Sequence, residues 1–380
     1  MPGIAEEFPI DPEIVLLNHA SFGVPTTHML DVAAQTRRRI ERDAAGLLAG
    51  SMREELLAEL ASAADFLAAP PESFALTMNA TEASSAVASS MGRHRRLRVA
   101  MSDTEYPSVI RAWQVATAGH GGSVQLVHLD NPVDSPDEVL HEFERQVSGG
   151  LDVVVASLVT SSTALVLPVQ RIGQWASERG AIMVVDAAHG PGHVDFGVTD
   201  FGASVVYGTL HKWLPVPRPL GFLHAVDELR DLLRPAMVAV HWDEGFADRF
   251  AWRGTWDPTP ALCFSVALGQ WRTWQASGLL VDAERMADLL SQRLTACDLE
   301  PTGARPLVAP RFRAFRVPGV TPESLRATLD AARIRAWVGA APSGRTLLRV
   351  ATHVYTSEEH VQRTVDAVSQ AVRRRRGGSS

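Results

Sequence analysis

The chain has 380 residues, of which 46% are hydrophobic and 21% charged, and its formal net charge is −7. With a mean hydropathy of +0.00, this composition excludes a disordered, collagenous or membrane-embedded protein, and at ~150 residues per domain it suffices for two or three domains. The acidic balance argues against nucleic acid as a partner, because phosphate-backbone binding needs a basic face.

The opening MPGIAEEFPIDPEIV has neither the basic nor the apolar region of a leader. No apolar run reaches the ~18 residues of a membrane span, so no membrane partner is expected. Residues 1–22 read as an arm that packs on a small domain. From there to residue 260 short β-branched runs alternate with helical patterns. The runs are 74–78, 98–101, 124–129, 152–158, 181–185, 203–207 and 221–225, and helices are expected at 81–91, 107–118, 136–147 and 168–179. Proline stands at or near three of these helix starts, and Gly119 and Gly180 serve as stops. Such alternation predicts an α/β fold: a large domain, 23–260, whose mostly parallel seven-stranded sheet is covered by helices. Composition shifts around WDPTP, and 261–372 reads as a smaller C-terminal α+β domain. Its helices are expected at 261–277, 279–296, 322–333 and 357–373, and its strands at 312–317 and 347–350. The tail 373–380, RRRRGGSS, reads as a solvated, disordered end, and RHRRLR at 93–98 as a solvated loop.

The sum of lysine and arginine is 36, yet Lys212 is the sole lysine. Arginine serves as a permanent cation but cannot give up its proton to become a nucleophilic amine. Lys212 is therefore the candidate for amine chemistry, although survival by chance on an arginine-rich background accounts for it equally well. Ligands of parallel sheets bind beyond the carboxyl ends of the strands. After 74–78 comes Asn79-Ala80-Thr81, where free N–H groups and a hydroxyl suit a phosphate, or a plain helix cap. After 181–185 comes Asp186, a buried acid that needs a cationic partner. After 203–207 comes Gly208-Thr209-Leu210-His211-Lys212-Trp213. An amine for a Schiff base, a carboxylate for a pyridinium nitrogen and donors for a phosphate are together what pyridoxal 5′-phosphate (PLP) requires.

With VVDAAHGPGH followed by HKW, and a pattern running from LNHASFGVP at 17–25 to LLRVATHVYTSEEHV at 347–361, the chain resembles the class V aminotransferase family. This family comprises PLP enzymes of fold type I, and the likeness is to its isopenicillin N epimerase-like branch. The resemblance implies that Lys212 carries the cofactor and Asp186 holds the pyridine nitrogen protonated. His189 neighbours the phenolic oxygen, with Ser161 as second contact, and Tyr106 of DTEYPSV stacks on the ring. Ala80, Thr81, Thr209 and His211 ring the phosphate. Arg253 and Thr255 of WRGTWDP match a motif that reaches the phosphate of a second subunit, which implies a homodimer with shared active sites. Arg349 matches the arginine that binds a substrate carboxylate, and His19 lies at the entrance to the amino-acid substrate site.

No metal is expected. Gly190-Pro191-Gly192 between His189 and His193 forbids the helix on which that spacing would bind zinc. The two cysteines show no metal or disulfide spacing and suit a reducing, cytoplasmic compartment. Cys263 falls in an expected helix and Cys297 in the distal domain, so a persulfide route is disfavoured. The segment Pro215–Pro219 departs from the family pattern, and Pro219 should stiffen it. The branch suggests a natural-product enzyme for a bulky or S-conjugated α-amino acid, acting by C–S cleavage or decarboxylative, oxidative deamination as in lincosamide-type pathways. Epimerisation or racemisation and transamination are the alternatives, and a non-catalytic scaffold is a remote one.

Overall fold

A computed structural model describes residues 3–93, 95–130, 132–341 and 343–377. The strands, in chain order, are β1 Val15–Leu16, β2 Phe74–Thr77, β3 Arg98–Ser102, β4 Ser123–Val127, β5 Val153–Ser157, β6 Ile182–Asp186, β7 Val205–Thr209, β8 Gly221–Ala225, β9 Glu300–Pro301, β10 Phe312–Arg316, β11 Ile334–Arg335, β12 Trp337–Ala340 and β13 Thr346–Ala351.

Seven strands form one sheet in the order β2-β8-β7-β6-β5-β3-β4. β4, β3, β5, β6 and β7 run parallel, whereas β8 is antiparallel to both β7 and β2. The inner strands are buried along their whole length, as the continuous runs VVVAS and VVYGT require of a sheet covered on both faces. One apolar cluster, including Val154, Val185 and Phe222, fills one side, and another, including Val153, Val184 and Leu223, fills the other. Alternate residues of one strand thus serve different layers. Helices Ala80–Gly92, Pro107–Ala118, Pro136–Gln146 and Val169–Ser177 connect the strands. Three have side-chain or proline caps: Asn79 Oδ1 accepts from Glu82 N at 2.9 Å, Ser135 Oγ from Glu138 N at 3.2 Å, and Pro107 opens its helix.

A four-stranded antiparallel sheet, β12-β13-β10-β9, has a third apolar cluster containing Phe315, Leu348 and Val361. The N-terminal segment joins it: β1 pairs in parallel with β11, and Asn18 bridges to Ala351. The expected helix 261–277 is two helices, Thr259–Leu262 and Phe264–Ala276, with Cys263 at the break. The last helix, Glu358–Gly377, runs through the arginines expected to begin a disordered tail, since arginine is a good helix former. Residues 378–380 and His94 of RHRRLR lie outside the described residues, and Arg98 of that cluster opens β3.

Candidate active site

The site forms at the carboxyl ends of β6 and β7. Asp186 is the last residue of β6, 4% exposed, and its Oδ1 accepts from the N–H of Ala188 at 2.8 Å. Among the described residues no cation forms an ion pair with it. Burial pushes its carboxyl up to about 6, opposed by that N–H and by the charge of Lys212. The chain then turns, with Gly190 N bonded to Ala187 O at 2.9 Å, and brings His189 back over the sheet end. The Lys212 amine lies 3.3 Å from His189 Nε2, and burial lowers it to about 8. Burial also holds His189 neutral, leaving its Nδ1 without a hydrogen-bond partner. Thr209 ends β7 and donates to Ala188 O at 2.7 Å, tying the Asp186 turn to the Lys212 loop.

Arg349 enters from β13. It is 4% exposed, yet among the described residues no carboxylate pairs with it. Its Nη1 donates to Ser161 O at 2.6 Å, and its Nη2 to Ser21 Oγ at 2.6 Å and to Asn18 Oδ1 at 3.2 Å, while Nε is unpartnered. Burial lowers its guanidinium to about 10. A buried cation held only by neutral groups is suited to a carboxylate ligand.

The remaining expected residues divide into two groups. Ala80 and Thr81 open the helix after β2, Ala80 buried and Thr81 exposed. His211 is buried, its Nδ1 2.6 Å from Leu220 O, and burial lowers it to about 4. Tyr106 is 47% exposed at the start of its helix, within electrostatic reach of Arg349. The other four are Ser161, Arg253, Thr255 and His19. Ser161 holds Arg349 and makes no contact with His189 among the described hydrogen bonds. Arg253 pairs in its own chain with Glu82, Nε to Oε1 3.1 Å, donates to Leu76 O at 2.8 Å and lies over Trp256, so its charge is already matched. Thr255 beside it is exposed. His19 is buried behind the lysine loop: its Nδ1 lies 3.0 Å from Tyr355 Oη, and its ring stacks on His353 at 3.8 Å. Asn18, its neighbour, is the residue that reaches Arg349.

Sequence reasoning missed the aromatic and polar frame. Phe312 and Trp337 cover Arg349 at 5.1 and 5.0 Å, and Trp213 stacks on His193 at 3.8 Å. His193 takes no part in a metal cluster among the described residues. Its Nδ1 donates to His189 O at 3.0 Å and its Nε2 accepts from Arg311 N at 3.1 Å. Gly23 lies against this loop with φ +65, and a Cβ there would overlap the carbonyl oxygen of His211 and come within 2.9 Å of that of Lys212.

These residues fit PLP. Asp186 is a buried acid, Lys212 an amine of lowered basicity, His189 Nδ1 a buried atom without a hydrogen-bond partner and Arg349 a buried cation, and among the described residues neither Asp186 nor Arg349 has an ion-pair partner. Neither cysteine is near: Cys263 bonds weakly to Thr36 and Cys297 to Ser369.

The aminotransferase class-V family model matches residues 54–364. Isopenicillin N epimerase of Amycolatopsis lactamdurans is 32% identical, covering 96% of this chain and 97% of its own. L-cysteine desulfhydrase of Arabidopsis thaliana is 26% identical over 69% of this chain and 63% of its own. Among solved structures, a cysteine desulfurase from Thermococcus onnurineus superposes with a TM-score of 0.82 at 20% identity, over 97% of both chains. The family match over most of the chain, with the lysine, acid and arginine gathered at one sheet end, makes this protein a PLP-dependent enzyme of the class-V aminotransferase family.

Proposed function

We propose that the enzyme moves a proton at Cα of a bulky α-amino acid and so inverts that centre, an epimerisation. The observation that carries this reading is the 32% identity to an isopenicillin N epimerase over nearly the whole of both chains, and Arg349, a buried cation with neutral partners, supports an α-carboxylate beside the one lysine. PLP supplies an electron sink that weakens the bonds at Cα. Lys212 takes the proton from one face of Cα, and inversion follows when a proton is delivered to the opposite face: an amine near 8 has a sizeable neutral fraction at physiological pH and is a serviceable general base. His189 Nε2 keeps the amine in place, and Asp186 supplies the negative charge for the cofactor nitrogen. Arg349 fixes the carboxylate, so the Cα–H bond is oriented by the binding of the amino acid itself. Ala80, Thr81, Thr209 and His211 serve the phosphate, and Tyr106 the ring face.

A second reading is C–S cleavage, with or without loss of CO2, of a cysteine S-conjugate. It draws support from the desulfhydrase similarity and from a shorter match to a hercynylcysteine sulfoxide lyase of Mycobacterium tuberculosis, 35% identical over 31% of this chain. The assignment includes a homodimer with shared sites, supported by the exposed apolar residues Met237, Val238 and Val240 and by the exposed Tyr106. Two free cysteines suit a cytoplasmic setting, and among the described residues no helix is long and apolar enough to cross a membrane.

Incubation with bulky amino acids in deuterated water is the test. Deuterium at Cα with an intact skeleton and loss of optical purity supports epimerisation. Release of thiol, keto acid or CO2 without such exchange would replace it with the second reading. Light scattering of the purified chain at one-protomer mass would remove the dimer.

A further inference from the structure

Glu105 is a buried acid that none of the assigned chemistry uses. It lies in the turn after β3, directly before Tyr106, and is 3% exposed. Its Oε1 accepts from the N–H of Ser157 at 2.8 Å and from the Ser102 hydroxyl at 3.3 Å, and its Oε2 accepts from the Ser157 hydroxyl. Ser102 is in turn 2.8 Å from Thr104 Oγ1. Ser157 ends β5 and is the register partner of Asp186 on β6, so one serine separates the two carboxyls. The titratable groups that face Glu105 are Asp186 and, from β7, Tyr207, whose buried hydroxyl lies near Asp186 and Ser84. Among the described residues no cation forms an ion pair with Glu105.

Two carboxyls in one dry site do not ionise independently. Asp186 has the Lys212 amine and the Ala188 N–H to favour its charge. Glu105 has only hydroxyl and amide donors, and burial together with the Asp186 charge pushes it up to about 7. Between about pH 6 and 7 the negative charge therefore settles on Asp186 and the proton on Glu105, whose protonated oxygen then donates to the Ser157 hydroxyl.

We propose that Glu105 is a positioning residue of the site: its carboxyl locks the end of β5 to the turn that presents Tyr106 and keeps the single negative charge on Asp186. This rests on the assignment of Asp186 to the cofactor nitrogen. Glu105 touches neither substrate nor cofactor and acts through Ser157, Tyr106 and Asp186.

Two readouts test it. In the cofactor-free full-length protein, an acid raised from about 4.3 in the unfolded chain to about 7 in the fold makes stability fall as pH rises between those values. Glu105→Gln removes that loss, so the Tm of the variant should gain on that of the wild type from pH 5 to 8. In PLP binding, the wild type should show an inflection near 7 that Glu105→Gln lacks. A constant Tm difference together with an unchanged PLP-binding profile would reduce Glu105 to packing and overturn the proposal. Should Glu105→Gln not fold, Ser157→Ala removes one donor and keeps the carboxyl; its inflection should move to higher pH, and an unmoved one is equally fatal. Wild-type protein that binds no PLP yet shows the pH-dependent Tm gain counts against the proposed function, and supports the charge assignment at Glu105.

Discussion

Trp337 and Arg349 are register partners on antiparallel β12 and β13, and the indole centroid lies 5.0 Å from the guanidinium carbon. Phe312 on β10 covers the same guanidinium at 5.1 Å, and its ring is 5.0 Å from that of His189. The cation is clamped between two aromatic faces and aimed along the plane they leave open. A stacked cation in a partly dry site gains about 1 kcal/mol from each ring. Trp337→Leu is therefore expected to raise KM about fivefold with kcat nearly unchanged, and Trp337→Phe should restore most of it. Steady-state kinetics with one amino acid decide, and a loss confined to kcat speaks against the clamp.

Arg349→Gln removes the charge and keeps a polar side chain. A charge-assisted pair with a carboxylate contributes about 1.5–3 kcal/mol, so the amino-acid affinity should drop about 10- to 100-fold. Titration of the PLP-loaded protein followed by absorbance measures this directly. An amine lacking the carboxylate should bind wild type and variant alike.

Lys212→Ala is expected to abolish the visible band of lysine-bound cofactor and to slow turnover by about 10²–10⁴-fold, the usual contribution of a positioned general base. An added primary amine that restores part of the rate would identify the missing group as the amine itself.

Attack by an amine needs its neutral form. With Lys212 lowered to about 8, the rate at which added PLP reacts with the cofactor-free protein should rise with pH up to that value and level off above it. Stopped-flow absorbance from pH 6 to 10 reads the midpoint; a midpoint near 10 would mean that the lysine is solvated.

His19, His193 and His353 are buried and held neutral, His19 at about 3, chiefly by burial. A histidine depressed in the fold contributes stability that is present above the unfolded value of about 6.5 and is lost as pH falls. At pH 5 that loss is about 2 kcal/mol for His19. His19→Gln should therefore flatten the decline of Tm between pH 6.5 and 5 relative to wild type, in differential scanning calorimetry.

Much of the site was readable because its chemistry is local in sequence. Asp186 closes a β-branched run, Lys212 follows the next strand-like run, and each neighbours its own turn residues. The inner strands of the large sheet were legible for the same reason, since strands buried on both faces are written as unbroken apolar runs. What escaped depends on register between distant segments. Glu105 meets Ser157 only because β3 and β5 are neighbours, and Trp337 meets Arg349 only because β12 pairs with β13. Trp337–Ala340, with its glycine and mixed burial, carries no period of its own. The helices Thr27–Arg42 and Met52–Phe66 were not expected, and the structure forms them ahead of the first sheet strand. Arg253 was placed by motif, and its pairing with Glu82 within the chain rests on a contact between segments distant in sequence.

The segment that carries Gly23 bridges to the small sheet through Asn18 and bonds Arg349 through Asn18 and Ser21, while its own backbone rests on the carbonyls behind Lys212. One missing side chain thus lets a single stretch of chain touch both the lysine loop and the arginine, and any residue larger than glycine at position 23 would push that stretch off the loop.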